Sequence, residues 1–292
     1  LSQIENLSGS TKSDYLIGSA NANKLSGGDG ADTLDGGSGN DRLDGQAGGD
    51  SLLGGAGNDS LLATAGDDVV NATAGGNDSI NLGSDNDTVY FANALDSLDA
   101  VDGGEGIVDV LVFNGNDTNT SALDGVTNVE YISVTGSNVH LTLTDAMADS
   151  ADAQLTIDAS SANGLTLDMG AVSSQSVYLI GTEGIDYVTL GGGSDVASLG
   201  ADDDVVVAST GGDDSINLGS GANRVDFDAE LNNADSVVGS GADTLTYVDA
   251  NAAADELDHV SGMGLVSVVG ADSIVSIAIT LGNDSIFAAG AT

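Results

Sequence analysis

Cysteine, proline and tryptophan are absent from the 292 residues, and cationic side chains are nearly so. Without cysteine there is no disulfide framework, no thiol nucleophile and no Cys-ligated zinc site. Lys plus Arg number 4 against 46 Asp plus Glu, for a formal net charge of −42. Such a chain has almost nothing to offer a phosphate, which excludes nucleic acid as a partner and disfavours anionic lipid surfaces. A compact fold with that much like charge repels itself, so a positive counterpart is required, and divalent metal is the natural candidate. No apolar run approaches the roughly 18 to 20 residues of a membrane span, and no charged-then-apolar Sec-type leader is visible at Leu1. Hydrophobic residues still make up 40 % of the chain, so a buried core is expected and wholesale disorder is not.

What is present is a repeat. From Gly9 the residues fall into registers of nine, with an acid at the sixth position and an aliphatic at the eighth. The sixth-position series is Asp14, Asn23, Asp32, Asp41, Asp50, Asp59, Asp68, Asp78 and Asp87. The eighth-position series is Leu16, Leu25, Leu34, Leu43, Leu52, Leu61, Val70, Ile80 and Val89. One step of ten is absorbed by the doubled glycine Gly75-Gly76. A second block carries Asp186, Asp195, Asp204, Asp214 and Asn223 in the same role, again with a doubled glycine, Gly211-Gly212. There is a longer period too. The stretch from Asn77 to Ser84 recurs from Asp213 to Ser220, an offset of 136, and Asp109–Phe113 maps onto Asp243–Tyr247 at 134. The chain thus reads as two related modules offset by about 135 residues.

Glycine at the first, second and fourth positions opens backbone angles closed to other residues, so the first six residues can turn tightly. The remaining three form a very short strand with its aliphatic side chain inward. Two nonapeptides complete a coil, and coils stack about 4.8 Å apart through parallel β hydrogen bonds. A coil this thin leaves little room for rings, in keeping with an aromatic content of 3 %. Stacking brings the carboxylates of alternate repeats close together, which is repulsive unless a cation lies between them. An all-oxygen set of carboxylates and turn carbonyls favours hard Ca²⁺ over zinc or copper, and over Mg²⁺ with its smaller octahedral shell.

These residues resemble the RTX family, whose repeat is Gly-Gly-x-Gly-x-Asp-x-aliphatic-x. The clearest copies are Gly27–Asp35, Gly36–Asp44 and Gly54–Leu62. The resemblance implies an all-β, right-handed parallel β-roll or β-solenoid with multiple Ca²⁺ ions between its turns. By that resemblance Asp14, Asp32, Asp41, Asp50, Asp59, Asp68, Asp78, Asp87, Asp186, Asp195, Asp204 and Asp214 are metal ligands. Carbonyls of the glycine turns, those of Gly27, Gly36, Gly45 and Gly54 among them, complete the shells. The fifth-position Asn40, Asn58, Asp67, Asn77, Asn86, Asp203 and Asp213 are further candidates. Asn23 and Asn223 depart from Asp, and Ala63-Thr64, Ala72-Thr73 and Ala208-Ser209 depart from Gly-Gly, so weaker or missing metal is expected there.

Four segments follow: residues 1–106 and 181–242 as repeat blocks, 107–180 as a β-rich connection, and 243–292 as a β-rich segment opening a further block. In 107–145, Val108, Val110 and Val112, then Val129, Tyr131 and Ser133, then Val139, Leu141 and Leu143, alternate as strands do. Such stretches either continue the solenoid in wider, metal-poor coils or fold as a small sandwich against it. Short helices are predicted at 143–153 and 250–257. Tyr90-Phe91, Phe227 and Tyr247 read as plugs where the coil changes cross-section. His140 and His259 do not occupy equivalent positions, and Arg42 and Arg224 lie at repeat surface positions, so no catalytic constellation emerges.

No enzyme is therefore expected. The resemblance implies export by type I secretion and folding outside a Gram-negative cell, where calcium is abundant. It also implies self-assembly into a surface-layer (S-layer) lattice or head-to-tail oligomer, with cell-surface polysaccharide as a candidate partner. The alternative is an adhesin segment, or the calcium-binding C-terminal secretion and folding module of an exported enzyme.

Overall fold

The computed structural model describes residues 5–92, 95–114, 123–148, 154–208, 210–227, 231–232, 234–248, 259–269 and 285–289. They form two compact units, Leu1–Thr135 with Ala146–Leu155, and Gly136–Asp145 with Thr156–Thr292.

In the first unit, strands Asn6–Ser8, Lys24–Asp29, Arg42–Ala47, Ser60–Ala65, Ser79–Ser84, Ala100–Asp102 and Val126–Thr127 make one parallel sheet in that order. Strands Tyr15–Ser19, Thr33–Gly37, Ser51–Leu53, Val69–Asn71, Thr88–Phe91, Val110–Asn114 and the start of Tyr131–Thr144 make the other. The chain alternates between the sheets, one strand on each per coil. The fold is a parallel β-solenoid, as the nine-residue spacing predicts.

The register stacks aliphatic on aliphatic. Leu7, Leu25, Leu43, Leu61, Ile80, Val101 and Val126 form one column. Leu16, Leu34, Leu52, Val70, Val89, Leu111 and Ile132 form the facing one. From Leu25 onward these side chains are buried, and burying each is worth about 1.5 to 3 kcal/mol. The first position also faces inward (Gly27, Gly36, Gly45, Gly54, Ala63, Ala72, Leu82, Phe91). Strands on the first sheet consequently run to six residues, as in Lys24–Asp29, beyond the three that spacing alone suggests.

The segment from 107 continues the coil, which decides between the two readings of it. Hydrogen bonds linking consecutive coils span 18 residues at Asp50–Asp68, 19 at Asp68–Asp87 and 22 at Asp87–Asp109. As the coil lengthens, the first-position residue grows from glycine to Leu82 and Phe91, and Phe91 stacks on buried Phe113. The second unit does the same with Phe227 on Tyr247. Rings fill the wider cross-section, whereas Tyr90 points outward.

The phase is reversed relative to the sequence pattern in two strands. Ile132 and Val134 are buried rather than Tyr131 and Ser133. In the strand before, Val110 and Val112 lie on the outer side, and Leu111 and Phe113 are the buried pair. Both sets are apolar, so alternation alone did not discriminate; buried Asp109 fixes the phase, as sixth-position acids do throughout. Val139, Leu141 and Leu143 are buried. The predicted helix at 143–153 is seen as Asp145–Ala148, and that at 250–257 lies outside the described residues.

The second unit is also a parallel solenoid. Leu167, Val188, Val206, Val225, Leu245 and Val266 stack in one column, and Leu179, Ala197, Ile216, Val237 and Val260 in the other.

Second-position residues adopt left-handed backbone, with φ of +118° at Gly28 and +95° at Gly55, but also +95° at Thr64. Threonine is β-branched, and such a φ is a genuine strain there. Thr64→Gly should therefore raise stability by about 1 kcal/mol, net of the entropy glycine adds to the unfolded chain. Denaturant unfolding at fixed calcium reads this directly; an unchanged midpoint would mean the turn carries no strain.

Candidate metal centre

The sixth-position acids turn inward at the end of each glycine turn, and from Asp32 to Asp87 none is more than 3 % exposed. One carboxylate oxygen of each accepts the backbone N–H of the sixth residue one coil earlier. Asp14 N–H donates to Asp32 Oδ1 at 2.8 Å, Asp32 to Asp50 at 2.7 Å, Asp50 to Asp68 at 2.6 Å and Asp68 to Asp87 at 2.7 Å. The alternate column runs Asn23 to Asp41, Asp59 and Asp78 in the same way. Carboxylate and amide thus interlock as a ladder along each edge of the roll.

The second oxygen is the informative one. Oδ2 of Asp32, Asp41, Asp50, Asp59, Asp68, Asp87, Asp109 and Asp204 is buried without any hydrogen-bond partner. Leaving an anionic oxygen so costs several kcal/mol unless a cation meets it. Those of Asp32, Asp41 and Asp50 fold back over their own first-position glycines, Gly27, Gly36 and Gly45, near a carbonyl of the next coil. A Cβ placed on Gly27 would lie 2.3 Å from Asp32 Oδ2 and 2.7 Å from Gly45 O; on Gly36, 2.6 Å from both Asp41 Oδ2 and Gly54 O. Oxygen faces oxygen with nothing positive between them. Glycine is required here by space, since neither Gly27 nor Gly36 has a left-handed φ.

Where asparagine replaces aspartate, the same geometry closes without help. Asn223 Oδ1 accepts Asp204 N–H at 2.8 Å, and its Nδ2 donates to the first-position carbonyl of Leu218 at 3.0 Å. The amide nitrogen does the work that a cation would do beside a carboxylate. Other acids are satisfied by protein donors. Asp186 Oδ2 accepts Thr182 N–H, Asp195 Oδ2 accepts Gly191 N–H, and half-buried Asp14 takes both Ser10 donors. The column therefore holds two kinds of carboxylate, those whose second oxygen meets a protein donor and those whose second oxygen meets none.

Fifth-position residues form a hydrogen-bond ladder of their own. Asn58 N–H donates to Asn40 Oδ1, Asn77 N–H to Asn58 Oδ1 and Asn86 N–H to Asp67 Oδ1, at 3.0, 3.0 and 3.1 Å. This second ladder runs in the opposite sense, from each coil back to the side chain before it. It clamps adjacent turns.

Electrostatics follow the geometry. Burial pushes the Asp87 carboxyl up to about 8, opposed by the Asp68 N–H and reinforced by the charges of Asp68, Asp109 and Asp67. Burial likewise raises Asp68, Asp204 and Asp214 to about 7, and Asp78, Asp109 and Asp195 to about 6. Asp41, Asp50, Asp59 and Asp186 move in the same direction for the same first reason. Without a cation these groups resist ionisation.

The ladder extends beyond the nine-residue spacing. Asp78 N–H donates to Asp99, Asp87 to Asp109 and Asp109 to Glu130; in the second unit Asp214 donates to Asp235 and Asn223 to Asp243. Each of these acids keeps the acid-x-aliphatic signature (Asp99-Ala-Val101, Asp109-Val-Leu111, Glu130-Tyr-Ile132, Asp235-Ser-Val237, Asp243-Thr-Leu245), the signal that could have found them. Among the described residues no three His, Cys, Asp or Glu side chains converge, so carbonyls would supply much of any cation's shell. Arg42 and Arg224 sit on the outside, paired with Asp44 and Asp226.

A parallel β-roll whose stacked glycine turns present inward carboxylates short of positive charge is, as a class, a cation-dependent solenoid. The particular repeats are identified by comparison: residues 8–43, 44–75, 72–98, 178–206 and 206–230 match the family model of the RTX calcium-binding nonapeptide repeat. These stretches are RTX calcium-binding repeats, and they make the chain a calcium-binding β-roll protein. No curated protein and no solved structure matches the chain. Proteins with such repeats are typically secreted, and among the described residues no helix is long and apolar enough to cross a membrane.

Proposed function

We propose that this chain is a calcium-dependent structural protein of a Gram-negative cell surface, exported unfolded by type I secretion and folded by Ca²⁺ outside. The observation that carries the reading is the column of buried carboxylates with partnerless oxygens from Asp32 to Asp109. Ca²⁺ would be held by Oδ2 of Asp32, Asp41, Asp50, Asp59, Asp68, Asp87 and Asp204 with carbonyls of turns such as Gly27, Gly36, Gly45 and Gly54. The oxygen-only donor set suits it. The ion supplies charge neutralisation and cross-links consecutive coils. With calcium about tenfold above the dissociation constant, each site adds roughly 1.4 kcal/mol to the folded state.

The role is structural, not catalytic: the inward acids serve the ladder that joins the coils. A roll stacks coil on coil, an arrangement that a further copy can extend, which supports an S-layer-like lattice or head-to-tail oligomer. Cell-surface polysaccharide is the candidate anchor.

Circular dichroism with light scattering, titrating Ca²⁺ from chelator to about 10 mM against a Mg²⁺ control, tests both parts. A cooperative gain of β signal with Ca²⁺ alone is expected, with scattering rising alongside it. Folding without a rise in scattering would instead favour an adhesin segment or the folding module of an exported enzyme. A chain fully folded in chelator at pH above 8 would overturn the calcium role.

A further inference from the structure

The turn Gly103-Gly-Glu-Gly-Ile-Val-Asp109 has one residue too many for the nonapeptide and lies outside the stretches matched as RTX repeats. The structure nevertheless keeps it in column. Glu105 bridges Ser84 of the previous coil, with Glu105 N–H on Gly83 O at 2.7 Å and Asp85 N–H on Glu105 O at 3.0 Å. The surplus residue is taken up at one side chain, Asn86, whose Oδ1 accepts both Ile107 and Val108 N–H, at 3.0 and 3.1 Å.

Asp109 therefore arrives where a sixth-position acid belongs. It is 0 % exposed, its Oδ1 accepts Asp87 N–H at 2.8 Å, and its Oδ2 has no partner. Asp87, one coil earlier, is 1 % exposed and its Oδ2 is likewise partnerless. A Cβ on Gly106 would fall 2.6 Å from Asp109 Oδ2, 2.6 Å from Asp85 O and 2.8 Å from Asp109 Oδ1, so three oxygens crowd the space above that glycine. Gly106 has no left-handed φ, and its glycine is demanded by those oxygens alone. We propose that the Gly103–Asp109 turn, with Asp87, holds a Ca²⁺ ion in a ten-residue repeat that the nine-residue pattern does not assign.

The second module supplies a contrast. Asp243 is the counterpart of Asp109 at an offset of 134 and is equally buried. Its Oδ1 accepts Asn223 N–H, but its Oδ2 accepts Ser240 N–H, so that carboxylate is satisfied without a cation.

The proposal rests on the calcium reading above, and native mass spectrometry of the full chain at saturating Ca²⁺ separates the two. Asp109→Asn keeps the Oδ1 that accepts Asp87 N–H and removes only the anionic oxygen. It should carry one ion fewer than the parent, while Asp243→Asn keeps the parent count. Circular dichroism at the same calcium reports that each variant is folded. Should Asp109→Asn fail to fold, Gly106→Ala, which places a methyl group among the same oxygens, takes its place and should also lose one ion. A parent that binds no Ca²⁺ overturns the calcium reading itself. A parent that binds it, with an unchanged count in the folded variant, overturns this site alone.

Discussion

Metal-free protein should gain β structure as the pH falls from 9 to 5, and only above about pH 8 should folding depend strictly on calcium. The folded-state values of Asp87, Asp68, Asp204, Asp214, Asp78, Asp109 and Asp195 lie between about 6 and about 8, all raised above the ordinary 3.8 by burial. A raised folded value means that the folded chain binds protons which the unfolded chain does not, so stability falls as the pH rises. The contribution is complete below about pH 4 and is lost progressively as the pH rises from there through the folded values of about 6 to about 8. For Asp87 alone, a rise from 3.8 to about 8 corresponds to something on the order of 5 kcal/mol. That is comparable to the whole stability of a small domain. Protons and Ca²⁺ thus answer the same need, and acidification should release bound calcium without unfolding the roll. Far-UV circular dichroism in metal-stripped buffer, stopping at pH 5 to stay above the pI of about 4.1, checks this. Equal β content at pH 5 and pH 9 without metal would show that these carboxylates carry no buried charge.

Gly57→Ala should be far more damaging than its one added carbon suggests, lowering stability by about 3 kcal/mol or more at millimolar calcium. Gly57 has a φ of +134°, outside what alanine adopts, and its Cβ would stand 2.0 Å from Gly39 O and 2.6 Å from Gly39 C of the preceding coil. Neither backbone atom can swing aside as a flexible side chain would. Consecutive coils of a solenoid rest only on one another, so the lesion breaks the array at that point. The adjacent Ala56 is exposed, and Ala56→Ser should stay within about 0.5 kcal/mol. Guanidinium denaturation of both variants makes the comparison; similar midpoints would show that the turn relaxes around the methyl group.

Much of this arrangement was legible in the residues. The nine-residue step placed Leu25, Leu34, Leu43 and Leu52 in the core and Asp32, Asp41, Asp50 and Asp59 at the turn ends, and the structure has both where the pattern puts them. The pattern lost its hold where coils lengthen. Asp99, Asp109 and Glu130 continue the ladder at steps of 21, 22 and 21 residues, each absorbed by local irregularities such as the Asn86 clamp. A window of nine cannot register them, although acid-x-aliphatic persists. The Val110–Phe113 phase was ambiguous for a different reason, since both faces of that strand are apolar.

By itself, then, the sequence determined the solenoid and its stacked acid columns, and pointed to a hard cation. Glycine at fixed positions, alternation of two, and −42 of unneutralised charge admit few other solutions. Only the tertiary structure separated the carboxylates that protein donors cap from those that none caps. Asp186 and Asp195 carry the same repeat position as Asp32 and Asp59, yet protein N–H groups cap the former and nothing caps the latter. It also showed that fifth-position Asn40 and Asn58 clamp turns together through a ladder of opposite sense. Both distinctions depend on which donors each turn and its neighbouring coil bring within about 3 Å of an oxygen, a relation between residues about 18 apart that no single repeat encodes.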